Sequence, residues 1–167
     1  MITVRMIDRN TVSNGETEEL LPLFRDSTIE TDYMTAGEVK DLDMLQTLLQ
    51  SRNLIHFIAY EDNIPVACCQ VIHKAQSTNF HTGAKINALS VMPHKRGMGV
   101  GTELMNKVVE ALREKPEIRN IYLDVVKENT AAVKLYEKLG FKKVGELKNA
   151  FIKDGTLMDI ETFSLLV

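Results

Sequence analysis

Three glycines at alternate positions, Gly97, Gly99 and Gly101, lie within Val91-Met92-Pro93-His94-Lys95-Arg96-Gly97-Met98-Gly99-Val100-Gly101-Thr102. An apolar, strand-like run precedes them and a strongly periodic helical run follows. No other stretch constrains the chain so tightly. Glycine lets backbone approach a ligand with no Cβ in the way. The amides of such a turn, with the unpaired donors at the start of the next helix, make a concave site for anionic oxygens. Arg96, and with it Lys95, adds positive charge. This chemistry asks for a phosphate or pyrophosphate.

The surroundings say which kind. A triphosphate-binding loop ends in Gly-Lys-Ser/Thr, whereas Gly101 is followed by Thr102-Glu103. A dinucleotide site needs Gly-x-Gly-x-x-Gly near the first strand of a repeated βαβ pattern. Here the spacing is Gly-x-Gly-x-Gly, past the middle of the chain and after hairpin strands. Neither context fits.

The elements can be read along the chain. Ile2 to Ile7 is a strand. Glu16 to Asp26 is a helix, with Pro22 predicting a kink or frayed start. Glu38 to Ser51 is a second helix behind a capping box, Thr35-Ala36-Gly37-Glu38. His56 to Tyr60 and Pro65 to His73 form a hairpin across Glu61-Asp62-Asn63. Gln76 to Gly83 is a loop and Lys85 to Val91 a strand. A helix from about Gly99 to Lys115 turns Leu104, Met105, Val108, Val109 and Leu112 inward, and Pro116 stops it. Ile121 to Val126 is a strand, and Thr130 to Leu139 is a helix with Ala132, Val133, Leu135, Tyr136 and Leu139 inward. Phe141 to Leu147 and Met158 to Leu165 close the chain across Lys153-Asp154-Gly155. The order β-α-α-β-β-β-α-β-α-β-β is a mixed α/β (α+β) arrangement, expected as one domain over 1–167.

Composition excludes several classes. Of the 167 residues, 44% are apolar and 26% charged, and the net charge of −3 comes with scattered basic residues. That balance argues against a nucleic-acid partner, whose phosphates want a basic face. No apolar run reaches the roughly 20 residues that cross a bilayer. The start lacks a signal-peptide pattern, so no membrane and a cytoplasmic location are expected. Cys68 and Cys69 are neighbours that point to opposite faces of a strand, which suits neither a disulfide nor a metal site. The histidines His56, His73, His81 and His94 have no zinc spacing, and no metal is expected.

Arg-x-x-Gly-x-Gly after a strand ending in Val-x-Pro resembles the acetyl-CoA signature of the GNAT acetyltransferase superfamily. Asn129-Thr130-Ala131-Ala132-Val133-Lys134-Leu135-Tyr136-Glu137-Lys138-Leu139-Gly140-Phe141 is similar to that family's Asn-x-x-Ala-x-x-Leu-Tyr-x-x-x-Gly-Phe at every position. The helix pair, the hairpin and Lys153-Asp154-Gly155…Asp159 also look like bacterial members. Either block alone has a bland reading, as a structural turn or as core packing. Both, in order and with the right elements between them, are specific.

The resemblance implies a sheet whose central strands splay apart to admit acetyl-CoA. Leu89, Ser90 and Val91 would pair with the pantetheine arm. Arg96, Gly97, Met98, Gly99, Val100 and Gly101 would hold the pyrophosphate, with Thr102 close by. Asn129 and Ala132 would stand at the pantetheine end. The implied reaction is direct attack by a primary amine, with Tyr136 as the general acid and the Leu89 region as oxyanion donor. A small-molecule amine is the expected acceptor. A protein N-terminus or lysine is the first alternative, and a non-catalytic acyl-CoA-binding regulatory module the second. The family also implies a possible homodimer. Where many members carry a strand carboxylate as base, this chain has Asn87. Glu30 and Asp32 are then the amine-facing candidates, followed by Asp124 and His81.

Overall fold

A computed structural model describes residues 1–26, 39–73 and 82–167. Among the described residues seven strands, β1 (Ile2–Ile7), β2 (Leu54–Glu61), β3 (Ile64–Ile72), β4 (Gly83–Val91), β5 (Asn120–Val126), β6 (Lys142–Lys153) and β7 (Thr156–Leu166), form one sheet. Its spatial order is β1-β2-β3-β4-β5-β7-β6. Every neighbouring pair is antiparallel except β4 and β5, which run parallel. Helices α1 (Asn14–Asp26) and α2 (Leu42–Leu49) pack on one face, and α3 (Val100–Arg113) and α4 (Thr130–Lys138) on the other. The mixed α/β order is the one the sequence predicts.

Each face has its own core. Leu20, Leu23, Phe24, Leu45 and Leu49 meet Ile7, Ile58, Tyr60 and Cys68 on the α1/α2 side. On the α3/α4 side Leu104, Met105, Val108, Val109 and Leu112 meet Cys69, Ile86, Ile121, Leu123 and Phe163. All five inward positions predicted for α3 are buried. On α4 only Tyr136 is; the other four predicted positions pack against the core partly exposed.

Two helices depart from expectation. α1 begins earlier, because Ser13 Oγ accepts the Glu16 N–H at 3.3 Å while Glu16 Oε2 accepts the Ser13 N–H at 3.3 Å. This capping box satisfies two otherwise orphaned donors. The helix then runs through Pro22 without a break. Leu20, Leu23 and Phe24 flank that proline and are buried. At roughly 1.5–3 kcal/mol each they outweigh a proline penalty of about 3 kcal/mol. α2 starts later than predicted, at Leu42, because Asp41 Oδ1 accepts the Met44 N–H at 2.9 Å and caps it. The expected box at 35–38 lies outside the described residues.

The hairpin turns are built from left-handed residues. Asp62 and Asn63 join β2 to β3 at φ 51° and 64°, the geometry that matches strand twist. Asp154 and Gly155 do the same for β6 and β7 at φ 50° and 77°. The last hairpin is longer than predicted, since β6 continues past Leu147 to Lys153 through an irregularity containing Asn149 at φ 52°. The predicted loop ends sooner, because Gly83 already belongs to β4.

Candidate active site at the β4–β5 fork

The parallel ladder of β4 and β5 is short. Gly83, Ala84, Lys85 and Ile86 pair with Asn120, Ile121, Tyr122 and Leu123, and there the pairing ends. β4 continues to Val91 beside β3, while β5 continues to Val126 beside β7. The strands part, and the β5-facing edge of Leu89, Ser90 and Val91 has no strand partner among the described residues.

A bulge marks the fork. On β3, Gln70 pairs with Ala88 and Val71 with Ile86, which leaves Asn87 as the extra residue. Ala84 and Ile86 belong to the α3-side core, and so do Leu89 and Val91. The step from Ile86 to Leu89 is three residues rather than two, so Asn87 and Ala88 both face the α1/α2 side. Asn87 Nδ2 donates to Gln70 Oε1 at 3.2 Å.

The β4 arm runs into the glycine-rich turn. After a single 3₁₀ turn at Pro93–Lys95 the backbone passes through Gly97 at φ 73° and Gly99 at φ 85°. A Cβ at either would meet nothing within 4 Å, so backbone conformation, not crowding, demands glycine there. Gly99 caps α3 without any side-chain hydrogen bond. The first-turn N–H groups of α3 therefore carry the helix's positive end uncapped. Gly101 is different. A Cβ there would lie 3.5 Å from Val91 Cγ2 and 3.8 Å from Leu135 Cδ2, where β4, α3 and α4 converge.

The basic pair divides its work. Arg96 Nε donates to the Val91 carbonyl at 3.0 Å and pins the end of β4. Lys95 is bound to Glu61 at the end of β2, so its charge is compensated there, contrary to its expected part in the turn. Met98 between the two glycines is 66% exposed, and Thr102 lies in the first turn of α3.

On the other arm, Asn129 Oδ1 accepts the Ala132 N–H at 3.2 Å and caps α4. That cap turns Tyr136 inward against Phe141, edge to face at 5.9 Å. Burial pushes the Tyr136 phenol well above its usual pKa, and neighbouring Cys69, the cross-strand partner of Leu89, pushes the same way.

Asp124 is the first β5 residue past the fork. Lys85 Nζ lies 2.8 Å from Asp124 Oδ2, and Thr162 Oγ1 donates to Asp124 Oδ1 at 2.7 Å. Burial would raise this carboxyl, but the bonds from Lys85 and Thr162 and the charge of Lys85 prevail and hold it low. Glu30, Asp32 and His81 lie outside the described residues. Sequence reasoning missed Gln70, Lys85 and Thr162. Gln70 left a signal, as a polar residue within an apolar strand run. Among the described residues no group of His, Cys, Asp and Glu could hold a metal ion, and no helix is long and apolar enough to cross a membrane. A separate cavity of about 330 Å³ between β1, β2 and α3, lined by Val4, Met6, Phe57, Lys107, Glu110, Ala111 and Glu114, contains no residue of the fork or the turn.

This forked mixed sheet is the GNAT fold. It superimposes on an acetyltransferase of that family from Streptococcus pneumoniae with a TM-score of 0.83, covering 100% of both chains at 20% identity. Residues 18–141 match the acetyltransferase (GNAT) family, and the chain belongs to it. Acetyl-CoA is the family's acyl donor. The chain is 30% identical to N-alpha-acetyltransferase 50 of Danio rerio over 96 residues, 56% of this chain and 55% of that one. It is also 30% identical to spermidine N(1)-acetyltransferase of Vibrio cholerae over 86 residues, 52% and 49%. It thus spans about half the length of these curated relatives.

Proposed function

We propose that this chain is an acetyl-CoA-dependent N-acetyltransferase acting on a primary amine of a small molecule. One observation carries the reading: a parallel pair that stops at Ile86 and Leu123 leaves an open β4 edge that leads through the glycine-rich turn to an uncapped helix start. The residues present fit an acyl-CoA. The open space at Gly97 and Gly99 lets phosphate oxygens reach amides from Arg96 to Gly101, with Thr102 alongside. The unpartnered edge of Leu89, Ser90 and Val91 suits the amides of an extended arm, as an added strand would. Asn129 and Ala132 flank the same arm.

Acetyl-CoA enters as a substrate and supplies an activated acyl carbon. The amine nitrogen bonds to that carbon as the carbon–sulfur bond breaks. The amine's proton leaves to water at the fork, because Asp124, held low by Lys85, is a poor base. A backbone N–H near Leu89 meets the developing oxyanion, and Tyr136 protonates the departing sulfur. The raised phenol pKa keeps that proton in place until a thiolate forms beside it.

A protein N-terminal amine is the second reading, favoured by the similarity to the Danio rerio N-alpha-acetyltransferase. Release of free thiol from acetyl-CoA, measured across spermidine, smaller mono- and diamines and short peptides with free N-termini, separates the two. Turnover of peptides alone would replace the small-amine reading. No thiol release with any of them would sink both.

A further inference from the structure

We propose that Gln70 is a positioning residue for the acceptor: it holds the Asn87 carboxamide so that Asn87 Oδ1 meets the N–H of the incoming amine at the fork. The inference rests on the acetyl-transfer reading above. Asn87 stands immediately past the last β4–β5 pair, and the bulge turns it to the α1/α2 face. A carboxamide has one acceptor oxygen and two donor hydrogens on nitrogen. The nitrogen is committed to Gln70 Oε1 at 3.2 Å, and among the described residues no donor takes the oxygen.

The pair is well anchored. Gln70 is 6% exposed, so its oxygen has little water to turn to, and leaving it unpaired would be costly. Its cross-strand neighbour on β2, His56, is buried and makes no hydrogen bond to that oxygen. Lys85, on the same face, is occupied by Asp124 at 2.8 Å. A neutral acceptor also suits the reaction. A carboxylate at this point would stabilise the ammonium, which cannot attack, whereas a carboxamide oxygen orients the free amine with less bias toward its protonated form.

A double-mutant cycle tests this, using the best amine of the panel above, spermidine or a short peptide. Gln70→Leu and Asn87→Ala should each raise KM for the amine about 10-fold, the scale of one hydrogen bond, with KM for acetyl-CoA little changed. The double variant should be no worse than Asn87→Ala alone. Gln70→Glu, which keeps an acceptor for Asn87 Nδ2, should recover most of the loss. Gln70→Met, unbranched and of similar length, stands in if the leucine variant does not fold. Independent, additive losses, or a Gln70 variant that alters both substrates alike, overturn the inference while the acetyl-transfer reading survives. A parent inactive toward every amine fails that reading and takes this inference with it.

Discussion

Ile86 of β4 and Leu123 of β5 face each other as the last pair of their parallel ladder. One residue further on, Asn87 has turned to Gln70 on β3, and Asp124 to Lys85 and Thr162. The Gln70 and Thr162 bonds tie each arm to its outer neighbour, while Lys85 and Asp124 bridge the two arms at the root of the fork. Splaying costs ladder hydrogen bonds, and backbone groups on the opened edge want partners. Arg96 supplies one at the Val91 carbonyl. A ligand's amides would supply others.

Acetyl-CoA should therefore stabilise the protein against heat. At about 100 times its dissociation constant a ligand adds roughly 2.7 kcal/mol, which is several degrees for a chain of this size. Differential scanning fluorimetry at low salt reads it directly. An unchanged melting temperature at millimolar acetyl-CoA would remove the cofactor assignment.

The glycines of the turn should not respond alike to substitution. Gly99→Val places a β-branched residue at φ 85°, at a cost of about 1–3 kcal/mol, and should abolish the acetyl-CoA shift as well. Gly101→Ala puts its Cβ at ordinary contact distance from Val91 and Leu135, so its melting temperature should stay within about 2 °C of the parent. Full acetyl-CoA stabilisation in the valine variant would show that the turn does not hold the phosphates.

How much of this was legible follows from the range of the forces involved. The turn and the Asn129–Phe141 block are local, and both stand where the sequence predicts them. α3 was readable because five apolar residues keep its period. The capping box at Ser13 and Glu16 is also local, but it lies ahead of the Glu16 start that the sequence predicts, where Pro22 points to a frayed first turn. The bulge at Asn87 was not readable, because its cause is a choice of partner on β3, seventeen residues away. The same holds for Lys85 with Asp124 and Thr162, which meet only once three strands are assembled. Lys95 looked like a phosphate ligand until β2 brought Glu61 to it.

Acid should weaken the fold through His56. Burial pushes its imidazole down to about 4, with the Leu48 carbonyl offsetting part of the shift. Below its ordinary pKa of about 6.5 the unfolded chain takes up a proton that the folded chain refuses. Stability from this group is complete above that value and falls by about 3 kcal/mol as pH drops toward 4. Asp124, also held low, acts in the same direction but only below about 4. Urea titrations at pH 7.5 and 4.5 should show the loss in the parent and a flatter profile in His56→Leu. Equal pH dependence in the two proteins would move the effect elsewhere.

Tyr136→Phe should separate chemistry from packing. The ring's edge-to-face contact with Phe141 at 5.9 Å survives the substitution, so the fold and the core around Cys69 should persist. What is lost is the hydroxyl. If it protonates the departing thiolate, turnover should fall about 10²-fold, within the usual range for a general acid. Affinity for acetyl-CoA should stay within a few-fold, because that interaction strengthens only in the transition state. A thiolate is already a tolerable leaving group, and a water that reaches the sulfur would soften the drop. Water has a competitor's disadvantage here, since Tyr136 is 6% exposed and sits in the core behind β4. Steady-state kinetics with a competent amine, alongside a direct acetyl-CoA binding measurement, decides it. Unchanged turnover, under conditions where the chemical step limits the rate, would leave Tyr136 as a core residue and hand the proton to water.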